Sequence, residues 1–223
     1  MNLQRQERLT STAPRYNLAV PPNPLNHPLS QALRSELLAM REEDFRVRQE
    51  LIDSGELGGE YAPRMERVHI KNAARLRELI EVHGWPAEDM AGQDGAEAAW
   101  LIVQHSVGEP HFQRHVLELL RACIAQGRVP AWHAAYLEDR IAMQEGRAQC
   151  YGSQWMDDTR DGRTRPWTLA EPDRVNELRA SVGLGTLRPI PEPGPELPVK
   201  QQELQRQIYR WWEQFFVSKG WRS

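Results

Sequence analysis

Apolar residues recur at the 3.6-residue spacing of an α-helix along most of the chain, and this periodicity sets the narrowest limit on its fold. The spacing predicts a first helix from about Ser30 to Asp53. Its apolar stripe consists of Leu33, Leu37, Met40, Val47 and Leu51. A second stripe begins at Met65 and ends near His83-Gly84, where glycine favours helix termination. Helices with one apolar face must cover that face, so the pattern predicts a bundle.

Three more helical segments follow the first two. The apolar segment from Ala96 to Val103 predicts a central helix surrounded by the others. Pro110 suits the first turn of the next helix, and Gly127 suits its end. Pro130 then opens a fifth helix.

The pattern changes from helical to alternating after the fifth helix. Residues 149–155 alternate in the manner of a short strand, residues 157–162 resemble a turn, and residues 165–169 suit a returning strand. A further helix is predicted over about residues 172–182. The predicted fold class is therefore mainly α: a helical bundle-like domain with a short β-hairpin after the fifth helix.

Prolines mark the predicted domain boundaries. Five of the 16 prolines lie between Pro14 and Pro28, and five more lie between Pro189 and Pro198. The second cluster is typical of a semi-rigid polyproline linker. The predicted organisation is an extended N-terminal arm (1–28), a helical core domain (29–188), a proline-rich linker (189–199) and an aromatic amphipathic C-terminal helix (200–223).

The C-terminal helix carries an aromatic face made of Leu204, Ile208, Trp211, Trp212, Phe215 and Phe216. This face is predicted to be a packing surface, docked on the core or on a second copy of the chain. Binding of another protein is the alternative.

Composition excludes several classes of partner. The net charge is −3, with 28 basic and 31 acidic residues interspersed, so no basic stripe for nucleic acid exists. No apolar run reaches membrane-spanning length. Cys123 and Cys150 lack a paired metal-ligand spacing and are expected to be reduced thiols. The first 28 residues contain no apolar core of a secretory signal, so a cytoplasmic location is expected.

Polar side chains interrupt the apolar stripes of four predicted helices. Asp44 is in step with Met40 and Val47, and His69 and Asn72 are in step with the second stripe. Gln104 and His105 end the central helix, and Asp139 and Arg140 share a side with apolar residues of the fifth. Charges among apolar neighbours must be paired or used, because burying them alone is costly. Helical bundles assemble ligand sites from such residues, so an interior polar site is predicted.

Each of these residues also has a structural interpretation. Asp44 is placed to pair with Arg48 one turn later. His105 at a helix C-terminus favours the helix dipole. Asp139 and Arg140 are placed to form a structural network with neighbouring helices. His69 and Asn72 can be core residues with hydrogen-bond partners, or partly exposed polar residues.

Four segments resemble an uncharacterised bacterial domain family of unknown function. They are HGWP at 83–86, AAWLIVQHS at 98–106, YLEDRIAMQEGRAQCYGSQ at 136–154 and RASVGL at 179–184. The family pattern is a GWP turn, Gln-His after an apolar helix, an Asp-Arg pair and Tyr-Gly-Thr-Gln. Ser153 stands where the threonine is usual. The resemblance covers about residues 30–188 and implies no activity.

The first functional hypothesis is an enzyme that acts on a small polar or anionic molecule. His105 is the predicted general base or acid, because imidazole titrates near neutral pH. Arg140 is predicted to bind a carboxylate or phosphate, and Asp139 to orient His105 or Arg140. The predicted substrate-binding residues are Asp44, His69, Asn72, Gln104, Tyr151 and Gln154.

Two alternatives stay open. In the first, Asp44, His69, His105 and Asp139 bind a metal ion, as in helical metal-dependent hydrolases. In the second, the polar cluster only stabilises the fold, and the helix with Trp211 and Trp212 binds a protein partner or forms a homo-oligomer. The sequence identifies neither a cofactor nor a reaction.

Overall fold

The computed structural model describes residues 28–223. The predicted arm over residues 1–28 lies outside the described residues, except that Pro28 begins the first helix. The first five helices are α1 (Pro28–Asp53), α2 (Pro63–His83), α3 (Glu88–His105), α4 (Pro110–Ala125) and α5 (Ala131–Gln144). The mainly α prediction is confirmed, because only one two-stranded sheet accompanies the helices of the described residues.

The helix α3 lies at the centre of the bundle, as its apolar sequence predicts. It contacts α1, α2, α4 and α5. Each of the five helices contributes a side chain that is at most 2% exposed to the shared core, namely Leu37, Leu76, Ile102, Leu120 and Leu137. Full burial of such a side chain stabilises the fold by about 1.5–3 kcal/mol.

The predicted hairpin follows α5, but its first strand begins later than the alternation indicates. Strand β1 (Trp155–Asp157) pairs antiparallel with β2 (Thr164–Pro166). Residues 150–153 are not a strand, because three of their backbone N–H groups are bound to the side chain of Asp139. Only Gln149 makes an isolated bridge, to Leu169.

A 3₁₀ turn (Pro172–Arg174) and α6 (Val175–Ser181) follow the hairpin. Residues 184–198, which include most of the predicted linker, contain no helix or strand. This segment lies against the hairpin, since the backbone N–H of Leu197 donates to the carbonyl of Arg160.

The last helix, α7 (Val199–Ser218), packs on the core of its own chain. Phe215 and Phe216 belong to the same buried cluster as the five-helix core, and Trp211 and Trp212 pack against it. The indole of Trp221 donates to the carbonyl of Val107 at 2.7 Å and fixes the chain beyond α7. The C-terminal part of the aromatic face is thus packed against the core of its own chain, whereas Leu204 at its other end is 57% exposed.

Within residues 28–223, no helix is both long and apolar enough to cross a membrane.

Candidate active site

Asp44 is the centre of a polar cluster where α1, α2 and α3 meet. It lies in the middle of α1 and is only 1% exposed. Its Oδ2 atom is 2.8 Å from Nδ1 of His105 and 3.1 Å from Nε2 of His69. The two imidazole rings are 5.0 Å apart between centroids. Among the described residues Asp44 forms these contacts rather than the predicted pair with Arg48.

The electrostatics of the cluster favour a charged carboxylate beside neutral His69. Burial by itself raises the pKa of Asp44, but the hydrogen bonds of His105 and His69 outweigh it and hold that pKa well below its usual range. Burial lowers the pKa of His69, and the hydrogen bond to Asp44 opposes this only in part. A buried carboxylate is stable only with such partners.

Tyr61 sets the proton positions in the cluster. Its hydroxyl is hydrogen-bonded to Nδ1 of His69, and the two rings stack with centroids 5.6 Å apart. Burial, together with the charges of Glu66 and Asp44, raises the pKa of Tyr61, so the hydroxyl keeps its proton and donates it. The proton of neutral His69 is then on Nε2, which lies 3.1 Å from Oδ2 of Asp44.

The same logic applies to His105. Its Nδ1 is 2.8 Å from Oδ2 of Asp44, and because a carboxylate only accepts hydrogen bonds, Nδ1–H is the donor; in a neutral imidazole the lone pair is then on Nε2. The side chain of His105 is 29% exposed, so this imidazole can be reached from outside the core. A base oriented by a carboxylate is the arrangement that proton-transfer chemistry requires.

Arg140 reaches the cluster from α5. Its Nε–H donates to Oε1 of Gln104 at 2.7 Å. Burial lowers the pKa of Arg140 to about 10. No carboxylate within residues 28–223 pairs with this guanidinium, so its remaining N–H donors are available to an anion.

A cavity of about 380 Å³ brings these groups together. Its lining includes five predicted site residues, Asp44, His69, Gln104, His105 and Arg140, and also Tyr61 and Trp212. A cavity of this volume has the size of a small-molecule site. Tyr61 was missed from sequence because it lies in a loop without periodicity, and Trp212 because its aromatic face predicts packing only.

Three predicted substrate-binding residues lie elsewhere. The amide of Asn72 donates to the carbonyl of Met40 at 3.2 Å and joins α2 to α1. The side chain of Tyr151 does not line this cavity. Gln154 lines a neighbouring cavity instead.

Asp139 was predicted to orient His105 or Arg140, but its side chain binds a backbone segment instead. Its carboxylate accepts the backbone N–H groups of Cys150 at 2.8 Å, of Tyr151 at 3.0 and 3.2 Å, and of Ser153 at 2.9 Å. It is 0% exposed and forms no hydrogen bond with His105 or Arg140. Asp44, on a different helix, is the residue that orients His105.

The neighbouring cavity has a volume of about 320 Å³. Arg140, Val107 and Trp212 line both cavities, so the two adjoin at these residues. The polar cluster therefore opens towards a second, more apolar space.

Comparison with known proteins matches the chain to a family. The sequence model of a family of unknown function (DUF6624) matches residues 31–191, a range that contains the whole polar cluster but not α7. No curated protein and no solved structure matches the chain.

Proposed function

The chain belongs to this family of unknown function (DUF6624), and we propose from the site that it is an enzyme that uses His105 for general acid–base chemistry on a small anionic molecule. The supporting observation is that His105, bonded through Nδ1 to Asp44 at 2.8 Å, shares one cavity with Arg140. A base and an anion-binding group are thus available to the same small molecule.

The proposed chemistry begins with binding of the anionic group by Arg140. The forked guanidinium suits a carboxylate or phosphate, and burial strengthens the interaction. Nε2 of His105 then accepts a proton from the bound molecule or from a water beside it. The carboxylate of Asp44 stabilises the imidazolium that forms, and the proton is returned when the product is released.

The activity is tested by incubating the protein with small carboxylates and phosphate monoesters and following the mixtures by NMR. Replacement His105→Ala should reduce turnover by about 100-fold or more, as expected for loss of a general base. The exposed His111→Ala provides a matched control and should keep full activity. Unchanged turnover in His105→Ala would contradict the role of the imidazole. Failure of the native protein to convert any of these compounds would contradict the substrate class.

A metal-dependent hydrolase is the second candidate, and one observation favours it. Ligand atoms of Asp44, His69 and His105 all lie within 4.8 Å of one another. Oδ1 of Asp44 is buried and has no hydrogen-bond partner among residues 28–223. Two imidazoles and a carboxylate are a usual ligand set for zinc or iron(II), and a bound ion would activate a water molecule. Asp139, the fourth predicted ligand, is bound to the backbone of residues 150–153 and is not in this group.

Elemental analysis separates the two candidates when the protein is purified without a polyhistidine tag. About one equivalent of metal in the native protein, lost in Asp44→Asn, would establish the metal site. A metal content well below one equivalent would rule out the metal-dependent hydrolase. NMR of the imidazole nitrogens gives an independent answer, because the acid–base proposal requires a proton on Nδ1 of His105 and none on Nε2.

The cytoplasmic location is also a proposal. It is supported by two free thiols, since Cys123 and Cys150 form no disulfide.

A further inference from the structure

The second cavity has five aromatic residues in its walls, in contrast with the polar cluster that it adjoins. Its walls include the side chains of Trp155, Trp167, Tyr209, Trp212 and Phe216. Glu213 is the only acidic residue among the described residues that line it, and its carboxylate is paired with Arg222. The space therefore suits a flat apolar group rather than a second charge.

The walls of this cavity are held in place by hydrogen bonds. The indole N–H of Trp212 donates to the carbonyl of Gly59 at 2.7 Å, and the hydroxyl of Tyr209 donates to the carbonyl of Asp157. The first contact ties α7 to the loop between α1 and α2, and the second ties it to the hairpin. Aromatic walls fixed in this way bind a ligand without first losing conformational freedom.

Arg140 lies at the boundary between the two cavities and lacks a carboxylate partner within residues 28–223. Beside it, Nε2 of Gln104 is a buried donor that has no hydrogen-bond partner in the described part of the chain. Two donors at this point favour an anionic acceptor. An anionic group bound here would have His105 on one side and the aromatic walls on the other.

We infer that the substrate is a small molecule in which a flat aromatic group is joined to a carboxylate or phosphate. The anionic group binds to Arg140 and Gln104, and the aromatic group lies against Trp212 in the second cavity. This inference rests on the proposed function, since it names the substrate class of the same site. It also assigns a part of substrate selection to α7, which lies beyond the residues that the family model matches.

Binding of three probes to the native protein tests the inference, with isothermal titration as the measurement. Naphthoate has both groups, naphthamide has the ring without the charge, and acetate has the charge without the ring. Naphthoate should bind about tenfold or more tightly than either of the others, because a charge-assisted hydrogen bond and an aromatic contact each contribute on this scale. Equal affinity for naphthoate and naphthamide, or for naphthoate and acetate, would overturn the inference, as would no binding of naphthoate.

Paired variants then locate the binding. Arg140→Gln should abolish the preference for naphthoate over naphthamide, whereas Arg121→Gln, an exposed arginine paired with Glu118 and Glu138, should not. Trp212→Ala should weaken naphthoate about tenfold, whereas Trp132→Ala, which changes a tryptophan outside both cavities, should not. If a control variant loses as much naphthoate affinity as the variant it is matched with, the assignment of naphthoate to the two cavities is wrong.

Three further variants keep the test decisive. If circular dichroism shows that Trp212→Ala or Arg140→Gln is unfolded, Trp212→Leu and Arg140→Met retain more of the side-chain volume and should show the same losses as the variants that they replace. His105→Gln should keep the affinity for naphthoate while any turnover is lost. If His105→Gln keeps both its turnover and normal naphthoate binding, only the acid–base proposal is refuted. If the native protein does not bind naphthoate but has a turnover that depends on His105, only the aromatic substrate class is refuted.

Discussion

Replacement Asp139→Asn should destabilise the protein strongly, because this side chain holds the loop after α5. Its two carboxylate oxygens accept four hydrogen bonds from the backbone N–H groups of Cys150, Tyr151 and Ser153, at 2.8–3.2 Å. The residue is 0% exposed, so water does not replace a lost partner. An asparagine keeps one acceptor oxygen but places an NH₂ group against N–H donors.

The size of the effect follows from these bonds. A buried N–H group left without an acceptor costs about 1–3 kcal/mol, and the remaining bonds lose the strengthening that a charge provides. We expect a loss of about 3 kcal/mol in the free energy of unfolding. For a chain of this size that corresponds to a decrease in Tm of roughly 6–12 °C.

Thermal and urea denaturation followed by circular dichroism measure this loss. Asp173→Asn is the matched control, because Asp173 is exposed and should change the stability by less than about 0.5 kcal/mol. Hydrogen exchange should also become faster at the amides of residues 150, 151 and 153. A loss below about 1 kcal/mol, with unchanged exchange at these amides, would refute the role of Asp139 as the anchor of the loop.

Three further predictions concern pH and packing. Burial lowers the pKa of His133 from 6.5 to about 4, so its neutral form stabilises the fold above pH 6.5 and this contribution is lost as the pH falls towards 4. Urea denaturation at pH 7 and pH 4.5 should show a loss of roughly 2–3 kcal/mol that is much smaller in His133→Gln, and an equal loss in both proteins would contradict this prediction. The pKa of Asp44 is held below its usual range, so its contribution to stability is present above about pH 4 and is lost only as the pH falls through the lowered value. In Asp44→Asn the free energy of unfolding should therefore depend less on pH below about pH 4. NMR should show that the proton of His105 is no longer confined to Nδ1. An unchanged pH dependence of stability would contradict the charged state of Asp44 in the cluster. Leu137→Ala, at 0% exposure, should cost about 2–5 kcal/mol, while Leu204→Ala, at 57% exposure, should cost less than about 0.5 kcal/mol, and similar losses in both would refute the assignment of the core.

The helices could be predicted from the sequence because their cause is local. The stripe from Leu33 to Leu51 predicts a helix from Ser30 to Asp53, and α1 covers Pro28–Asp53. Gly127 has a φ of 70° just after α4, a conformation that glycine adopts without steric cost. Spacing and terminating residues act over one or two turns, so a linear sequence contains them.

The hairpin shows where local reasoning ends. The alternation at residues 149–155 indicates a strand, but Asp139, ten or more residues earlier, binds the N–H groups that a strand would use. Competition between a side chain and a strand partner for the same donors depends on the tertiary structure.

For the candidate site, the sequence by itself determined which residues are polar within apolar stripes, and five of them line one cavity: Asp44, His69, Gln104, His105 and Arg140. Only the tertiary structure decided their partners. Asp44 rather than Asp139 binds His105, because the helix packing places α1 and not the middle of α5 against the end of α3. Periodicity indicates which face of a helix is buried. The distance between two buried groups depends on how far each helix is rotated and shifted along its neighbours. That arrangement is set by the packing of the whole core.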